Sequence, residues 1–353
     1  MSLSGQFAPA LPESSLRGSS RHPELTDGAP KGRLGTGELT TRATHRRLGT
    51  TASTASGPDI RLPVQKPCVV NAAGVTTGGA LTELLVTRSP SGAARATLTK
   101  RYPGADPTRT LRALGPLTFT WDDGAGGTTP DGGLDEWSGL ALRGNALTTM
   151  RWQITRGGTS PSISTEPHGT GWGAITQLVD SPLYDPVTKG WYVYGLAPRL
   201  RGGALVRYRV EFVPTPTALE MRVRPAGSVS GFGAVKGLTL VASGVKRDVL
   251  LANTSTGHLI TITVPRTKTM TTRTTRLRDR TWQAFERLVA TSCGDRTVLL
   301  GVDDDTGRGT VYDLSHISGS RVAITRWRGS VPTRDLRLIA PLRGMDYEPA
   351  RGA

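Results

Sequence analysis

Four acidic side chains flank a glycine-rich segment and could supply oxygen ligands to a cation. They are Asp122, Asp123, Asp131 and Asp135, with mostly Gly and Thr between the second and the third. Ca²⁺ prefers carboxylate oxygens, and glycine permits the tight loops that bring such ligands together. The segment lacks a full Asp-x-Asp-x-Asp-Gly ligand set. A Ca²⁺ site is therefore one interpretation of these acids, and a solvated loop without metal is the other.

The aromatic residues fall into two groups by their position along the chain. One group recurs at equivalent points of an internal repeat: Trp172, Phe232, Trp282 and Trp327. The other group lies outside the phase of that repeat: Trp121, Trp191 and Tyr192. Aromatic residues of the first group recur whether or not polar residues lie beside them, which favours a role as core anchors. Stacking on sugar faces is the alternative. The second group is free of that constraint, and we predict that it contacts a ligand.

Residues with the spacing of a catalytic site are scarce. None of the five His lies in a His-x-His or His-x-x-x-His pattern, and no Gly-x-Ser-x-Gly motif opens a helix. Paired carboxylates remain open, because such partners meet only in space. Cys68 and Cys293 could form a disulfide, or they could be buried free thiols. We predict that the protein is not an enzyme.

The elements that carry these residues repeat along the chain. The segments 172–178, 232–238 and 282–288 share an aromatic residue, an Ala two positions later and apolar positions that coincide. We predict that each is a strand opening a structural unit. An aliphatic strand follows, in which an acid precedes a turn glycine by nine residues, as in Glu83 with Gly92 and Asp248 with Gly257. The same spacing joins Asp135 to Gly144, and a looser copy covers 191–208.

A longer match relates the two ends of the repeat. Residues 101–117 align without a gap on 326–342, and nine of the seventeen positions are identical. The offset is 225 residues, or four periods of about 56, so the chain holds five units. Four-stranded units around an axis form a β-propeller. The sequence thus predicts an all-β fold: an N-terminal arm or tail at 1–62, a propeller of about five four-stranded blades at 63–345, and a short tail at 346–353.

Composition supports strands and restricts the class of partner. Gly and Pro supply 44 and 24 of the 353 residues, which favours turns over long helices. The net charge is +16, but the basic residues are spread along the whole chain. No basic run alternates with stacking aromatics, so nucleic-acid binding is not expected. No stretch has the length and apolarity of a transmembrane helix, and no signal peptide opens the chain.

The residue pattern of the repeat resembles that of a known group of propellers. Asp248-Val249-Leu250-Leu251-Ala252 with Gly257-His258-Leu259, and Asp131-Gly132-Gly133-Leu134-Asp135, resemble FG-GAP/VCBS-type repeats common in actinobacterial proteins, and the pattern is also similar to five-bladed tachylectin-like lectins. This resemblance implies non-enzymatic binding of a cell-wall or surface glycan. The alternative function is a structural component of a phage virion, tail or other assembly, with the arm ordered on another chain. Either function favours an extracellular or virion-associated protein.

Overall fold

The structure is a computed structural model that describes residues 68–343, apart from 107–108, 123–132, 156–157, 159–160, 186–189, 201, 217, 295, 316 and 318–321. The side chains of 99–101, 121–122 and 185 are also outside the description. The predicted arm at 1–62 and the tail at 346–353 lie outside the described residues and stay predictions. No helix among the described residues is long and apolar enough to cross a membrane.

The described residues form twenty-two strands. The first eight are β1 (Val69–Thr76), β2 (Leu81–Arg88), β3 (Ala94–Tyr102), β4 (Leu111–Leu114), β5 (Leu117–Asp122), β6 (Leu134–Arg143), β7 (Ala146–Thr155) and β8 (Ser162–Thr170). The next eight are β9 (Gln177–Asp185), β10 (Gly190–Ala197), β11 (Ala204–Pro214), β12 (Leu219–Ser230), β13 (Val235–Ser243), β14 (Arg247–Thr254), β15 (Leu259–Pro265) and β16 (Arg273–Arg278). The last six are β17 (Arg287–Cys293), β18 (Arg296–Asp303), β19 (Arg308–Ser315), β20 (Ala323–Arg326), β21 (Val331–Pro332) and β22 (Leu336–Arg343).

These strands form five antiparallel blades. Blade 2 is β5-β6-β7-β8 with β4 beside β6, blade 3 is β9 to β12, blade 4 is β13 to β16, and blade 5 is β17 to β20 with β21 beside β19. Blade 1 combines both ends of the described chain, in the order β22-β1-β2-β3. The last strand therefore pairs with the first, and Ala340 lies opposite Ala73.

The innermost strands close into a ring. Contacts run from β22 to β4, from β4 to β9, from β9 to β13, from β13 to β17 and from β17 back to β22. Each blade thus touches two neighbours through its inner strand, and no inner strand is left as an open end. The fold is a five-bladed β-propeller closed by its C-terminal strand, which confirms the predicted fold class.

Each aromatic segment opens with a turn, and the inner strand begins only at Gln177, Val235 or Arg287, so the prediction that the whole segment is a strand was wrong at its aromatic end. Trp282–Ala284 is a single 3₁₀ turn, and the strand begins only at Arg287. In all three copies the N–H three residues after the aromatic donates to the aromatic residue's carbonyl, at 3.1 Å from Ile175 to Trp172 and from Val235 to Phe232. Of the buried β-formers at this third position, Ile175 and Phe285 belong to the turn, whereas Val235 already begins β13. The sequence pattern alone cannot distinguish the two cases.

The first aliphatic copy is displaced by one strand. Asp135 and Asp248 lie on second strands, β6 and β14, whereas Glu83 lies on β2, the third strand of blade 1. The cause is the closure, because β22 supplies the inner strand of blade 1 and the chain enters that blade at its second strand. The turn equivalent to Gly144 and Gly257 is therefore the one at Gly79, between β1 and β2.

Side chains at one repeated position bind each blade to the next. Arg112 donates to the carbonyls of Trp172 and Ile175 at 3.0 and 3.4 Å, and Gln177 accepts the Leu238 N–H at 2.8 Å. Arg287 donates to the Leu336 and Arg337 carbonyls, and Arg337 to that of Leu111. These four positions lie on the inner strands or at their starts, immediately before Ala113, Leu178, Leu288 and Leu338. We call them the inter-blade ring.

Blade 4 has Gly237 at the equivalent position and uses a substitute from its second strand. The Asn253 amide donates to the carbonyls of Trp282 and Phe285, both at 2.7 Å, which are the counterparts of the carbonyls that Arg112 binds. A Cβ on Gly237 would lie 2.5 Å from the Asn253 Oδ1. Glycine at this position therefore makes room for the asparagine, and the ring passes through all five blades.

A buried charge cluster adds a second connection between blades 3 and 4. The Asp248 carboxylate is fully buried and accepts hydrogen bonds from Ser181 at 2.8 Å and from Tyr194 at 2.6 Å, both in blade 3. Arg266 pairs with it at 3.0 Å and is itself 3% exposed. A buried carboxylate is tolerated only when its charge and lone pairs are matched, and here they are.

Cys68 and Cys293 form a disulfide across the seam where the ring closes. Their Cα atoms are 5.6 Å apart, and 225 residues separate them in the chain. Cys68 immediately precedes β1 in blade 1, and Cys293 ends β17 in blade 5. The bond therefore links the first and last blades beside the strand pairing of β22 with β1, and it resolves the two alternatives left open by the sequence.

We expect the double variant Cys68→Ser, Cys293→Ser to unfold at a lower temperature than the parent. A cross-link over a loop of this length lowers the conformational entropy of the unfolded chain. By that effect it stabilises the fold by at most about 5 kcal/mol. Thermal unfolding followed by circular dichroism with and without reductant measures it. Reductant should lower the midpoint of the parent and leave that of the double variant unchanged; equal midpoints for all samples would contradict the prediction.

We expect Gly237→Ala to destabilise the propeller by about 1–3 kcal/mol, because the new methyl group overlaps Asn253 and crowds Leu288. Gly78→Ala is the matched control, since its Cβ would meet only the Thr76 hydroxyl, at 3.7 Å. The control should be neutral or slightly stabilising. Urea unfolding of the two variants distinguishes them, and equal midpoints would exclude the role given to Gly237.

Candidate functional site

The described residues enclose a central channel and a larger cleft between two blades. The first is the central channel of about 220 Å³, lined by residues of all five blades. Three of its four arginines, Arg112, Arg287 and Arg337, belong to the inter-blade ring, and their guanidinium groups already bind backbone carbonyls. The channel therefore has few polar groups left to recognise a ligand, because its arginines connect one blade to the next.

The second opening is a cleft of about 540 Å³ between blades 2 and 3. Its first wall is polar and belongs to blade 2, with Glu136 and Ser138 on β6 and Thr149 and Arg151 on β7. Side chains alternate between the two faces of a strand, so residues two apart share a face. Leu140, Leu142 and Leu147 continue the same face into the hydrophobic core shared with blade 3.

The opposite wall is apolar and belongs to blade 3. It consists of Trp191 on β10, Phe212 on β11 and Met221 on β12. The ring centroids of Trp191 and Phe212 are 5.5 Å apart at an angle of 49°, and Phe212 is 49% exposed. Two aromatic rings thus remain accessible beyond the point where the core between the blades ends.

An ion pair between inner strands forms the floor of the cleft. Arg343 of β22 donates to a carboxylate oxygen of Asp180 on β9 and, at 3.2 Å, to the Asp180 carbonyl. Burial raises the pKa of Asp180, and the neighbouring Arg343 charge opposes that rise. Arg343 is only 6% exposed, so its charge is satisfied within the protein. The floor is rigid and electrically balanced.

The polar wall keeps groups that a ligand could use. The Gln153 amide donates to one oxygen of Glu136 at 2.8 Å, which holds that carboxylate in place. The Arg151 side chain is exposed, and no side-chain hydrogen bond or ion pair joins it to another described residue. An oriented acceptor and an available donor therefore face two aromatic rings across the cleft.

The structure separates the residues predicted from the sequence to contact a ligand. Trp191 lies on the aromatic wall, whereas Tyr192 is 5% exposed and stacks beneath the Arg207 guanidinium at 4.7 Å. Neighbours on a strand face opposite sides of the sheet, so both residues could not reach the same surface. Tyr192 therefore faces blade 4 and is not accessible. The side chain of Trp121 lies outside the described residues.

The in-phase aromatics are all interior. Trp172, Phe232, Trp282 and Trp327 are between 1% and 7% exposed. Trp172 packs on Tyr208, with ring centroids 4.2 Å apart, and Trp282 packs on Tyr312 at 4.8 Å. Each of these two contacts joins the aromatic to the third strand of a blade, β11 or β19.

The proposed Ca²⁺ ligands fall mostly outside the described residues. Asp123 and Asp131 lie in the segment 123–132, and the side chain of Asp122 is also outside the description. Asp135 is on β6, where its backbone pairs with Trp121 of β5. No cluster of three potential metal ligands occurs among the residues that the structure describes. The calcium site at these acids stays a prediction.

Phe212 and Arg151 are among the cleft residues that the sequence analysis missed. A signal was available for Phe212, because it continues the alternation of Val206, Tyr208 and Val210 beyond the end of the core. An aromatic residue at such a position is either exposed or covered by a partner. Arg151 carried no signal, since an arginine at a strand position is usually a solvated surface residue.

Comparisons with known proteins add neighbours of low similarity. No protein-family model matches the chain, and no curated protein matches it. Among solved structures, the catalytic domain of a GH62 α-L-arabinofuranosidase from Coprinopsis cinerea has a TM-score of 0.38 and 12% identity, covering 70% of this chain and 77% of that one. A fucose-specific lectin from Aleuria aurantia has a TM-score of 0.37 and 10% identity over 80% and 87% of the two chains. Such values transfer no property to this chain, and the assignment to FG-GAP/VCBS or tachylectin-like repeats stays a prediction.

Proposed function

We propose that the protein is a non-enzymatic recognition protein that binds a cell-wall or surface glycan in the cleft between blades 2 and 3. The observation that carries the proposal is the opposition of an accessible aromatic wall, Trp191 and Phe212, to a polar wall that includes Glu136 and Arg151. A site with apolar surface and a few oriented polar groups is the usual form of a small-ligand pocket.

A sugar ring has two chemically different surfaces that match these walls. Its C–H groups form an apolar face with a slight positive charge, which the negative face of an aromatic ring attracts. Its hydroxyls both donate and accept hydrogen bonds, and so need partners of both kinds. Arg151 provides the donor, Glu136 provides the acceptor, and the hydroxyls of Ser138 and Thr149 can do either.

Binding without hydrolysis is proposed because of the state of the acid at the floor. Glycoside hydrolysis needs two carboxyl groups on either side of the bond, one of them able to give up a proton. Asp180 is half-buried, and the Arg343 guanidinium engages its carboxylate in an ion pair, so that carboxylate is not free to flank a glycosidic bond. Glu136 is the other cleft acid, and its role here is that of a hydrogen-bond acceptor.

The disulfide supports a location outside the cytoplasm. Disulfides persist in oxidising compartments and are rare in reduced ones. A propeller whose ring is closed by a bond between Cys68 and Cys293 is therefore suited to an extracellular surface, where cell-wall and surface glycans occur.

We expect Trp191→Ala and Phe212→Ala each to weaken glycan binding about tenfold, since each removes an aromatic contact worth roughly 1 kcal/mol beyond its buried area. A glycan and polysaccharide array probed with the full chain, with and without a Ca²⁺ chelator, identifies the ligand. Calorimetry on the strongest signal then ranks the variants.

Leu98→Ala is the matched control for the aromatic variants. Leu98 is a 57% exposed apolar strand residue of blade 1, outside the cleft, and its removal should leave binding unchanged. Binding that survives both aromatic substitutions would place the ligand elsewhere. No binding to any glycan on the array would reject carbohydrate recognition. Loss of binding when Ca²⁺ is chelated would instead implicate the acids near Asp135.

A further inference from the structure

The cleft between blades 2 and 3 does not end at its aromatic wall. A second groove of about 350 Å³ lies further out, between the outer strands β8 and β12, and is lined by residues that include Glu166, His168 and Val223. Met221 lines both this groove and the cleft. The two openings are therefore adjoining parts of one gap, which runs from the inner strands to the rim of the propeller.

Contacts at the junction fix the relative position of the two parts. The Thr149 hydroxyl, on the polar wall of the cleft, lies 2.6 Å from Nε2 of His168 in the outer groove. The same hydroxyl lies 3.9 Å from the Met221 sulfur across the gap. A hydrogen-bonded pair on blade 2 thus faces one side chain of blade 3, and these residues mark the step between the two grooves.

The outer groove continues the chemistry of the cleft. Glu166 pairs with Thr149 in the β7–β8 register, so it shares the face that borders blade 3. Met221 and Val223 belong to the apolar face of β12 that packs toward blade 2. Burial lowers the pKa of His168, against the opposing charge of Glu166, so its imidazole is neutral at physiological pH and can serve as a polar partner for hydroxyls. One side is again polar, and the other is again apolar.

The charged side chains that border the gap do not share the positive excess of the chain. Glu136, Glu166 and Asp180 are acidic there, against Arg151 and Arg343. Glu220, Arg222 and Arg224 alternate with Met221 and Val223 along β12, so they lie on its opposite face. The whole chain has 44 basic and 28 acidic residues. A gap without excess positive charge, within a strongly basic protein, does not favour an anionic ligand.

We propose that the gap binds a neutral glycan as an extended chain of several sugar units, running outward from the Asp180–Arg343 floor past Met221 to Glu166 and His168. This inference rests on the proposed function and adds the class of ligand to it. Each groove has the size of a site for a small ligand, and pockets of that kind measure roughly 300–1,000 Å³. A single sugar would occupy only one of the two, whereas a chain can use both.

Affinity as a function of chain length tests this inference. The full chain is titrated with neutral gluco-, xylo-, manno- and arabino-oligosaccharides from monomer to hexamer, and with oligogalacturonides of the same lengths. We expect affinity for the preferred neutral series to rise at least tenfold from disaccharide to hexamer. Oligogalacturonides should bind more weakly than neutral chains of equal length.

Variants on β8 show whether the added affinity comes from the outer groove. Glu166→Ala should weaken hexamer binding severalfold and leave disaccharide binding unchanged. Thr165→Ala is the matched control, because its side chain points to the opposite face of the same exposed strand. It should change neither affinity.

The results that would contradict the inference can be told apart. Equal affinity for disaccharide and hexamer would overturn the extended site and leave glycan binding in the cleft intact. Preference for oligogalacturonides would overturn the neutral class. If no sugar of any length binds, the proposed function fails and the inference fails with it.

Discussion

The propeller depends on hydrogen bonds that each inner strand makes to the backbone of the next blade. Arg112, Gln177, Arg287 and Arg337 occupy one repeated position, and Asn253 replaces the side chain that Gly237 lacks. Backbone carbonyls near the axis cannot all be satisfied within their own blade, so long donors from the neighbouring blade stabilise the fold by removing an unpaired polar group. Blades 3 and 4 are joined further by the buried Asp248 cluster.

Contacts of this kind hold the inner strands and leave the outer strands freer to separate. Blades 2 and 3 share an apolar core, but that core ends at Leu147 on one side and Val210 on the other. Beyond it the facing side chains are Thr149 and Arg151 against Phe212 and Met221, a polar face against an apolar one, and the Thr149 hydroxyl meets the Met221 sulfur at 3.9 Å. The gap is a consequence of that mismatch. In an otherwise closed core, a mismatch kept at one interface favours a functional explanation over a packing one.

Repetition made the architecture predictable from the sequence, and local detail was lost where one pattern fits two structures. The offset of 225 residues gave five units and paired the chain ends, and the disulfide spans the same offset. Trp282 was assigned to a strand because buried aromatics are common to strands and to turns that end against a core. Glu83 was placed one strand early, since a repeat shows its period but not the point at which the chain enters a blade. Tyr192 was grouped with Trp191 by adjacency, whereas the pleat sends them to opposite faces.

The position of the gap relative to the seam suits a binding protein. The disulfide between blades 1 and 5 is separated from the gap by blades 1 and 2 on one side and by blades 3 to 5 on the other, whereas the closing strand β22 reaches the gap and supplies Arg343 to its floor. A ligand wedged between blades 2 and 3 tends to push them apart, and in a closed ring that displacement is resisted by every other interface. The ring is closed both by the disulfide and by the sheet that β22 and β1 share. It therefore resists this displacement more than a ring closed by strand pairing alone. The aromatic wall and the polar wall are then held at a fixed separation before the ligand arrives, which lowers the entropic cost of binding in a cleft built from only a few contacts.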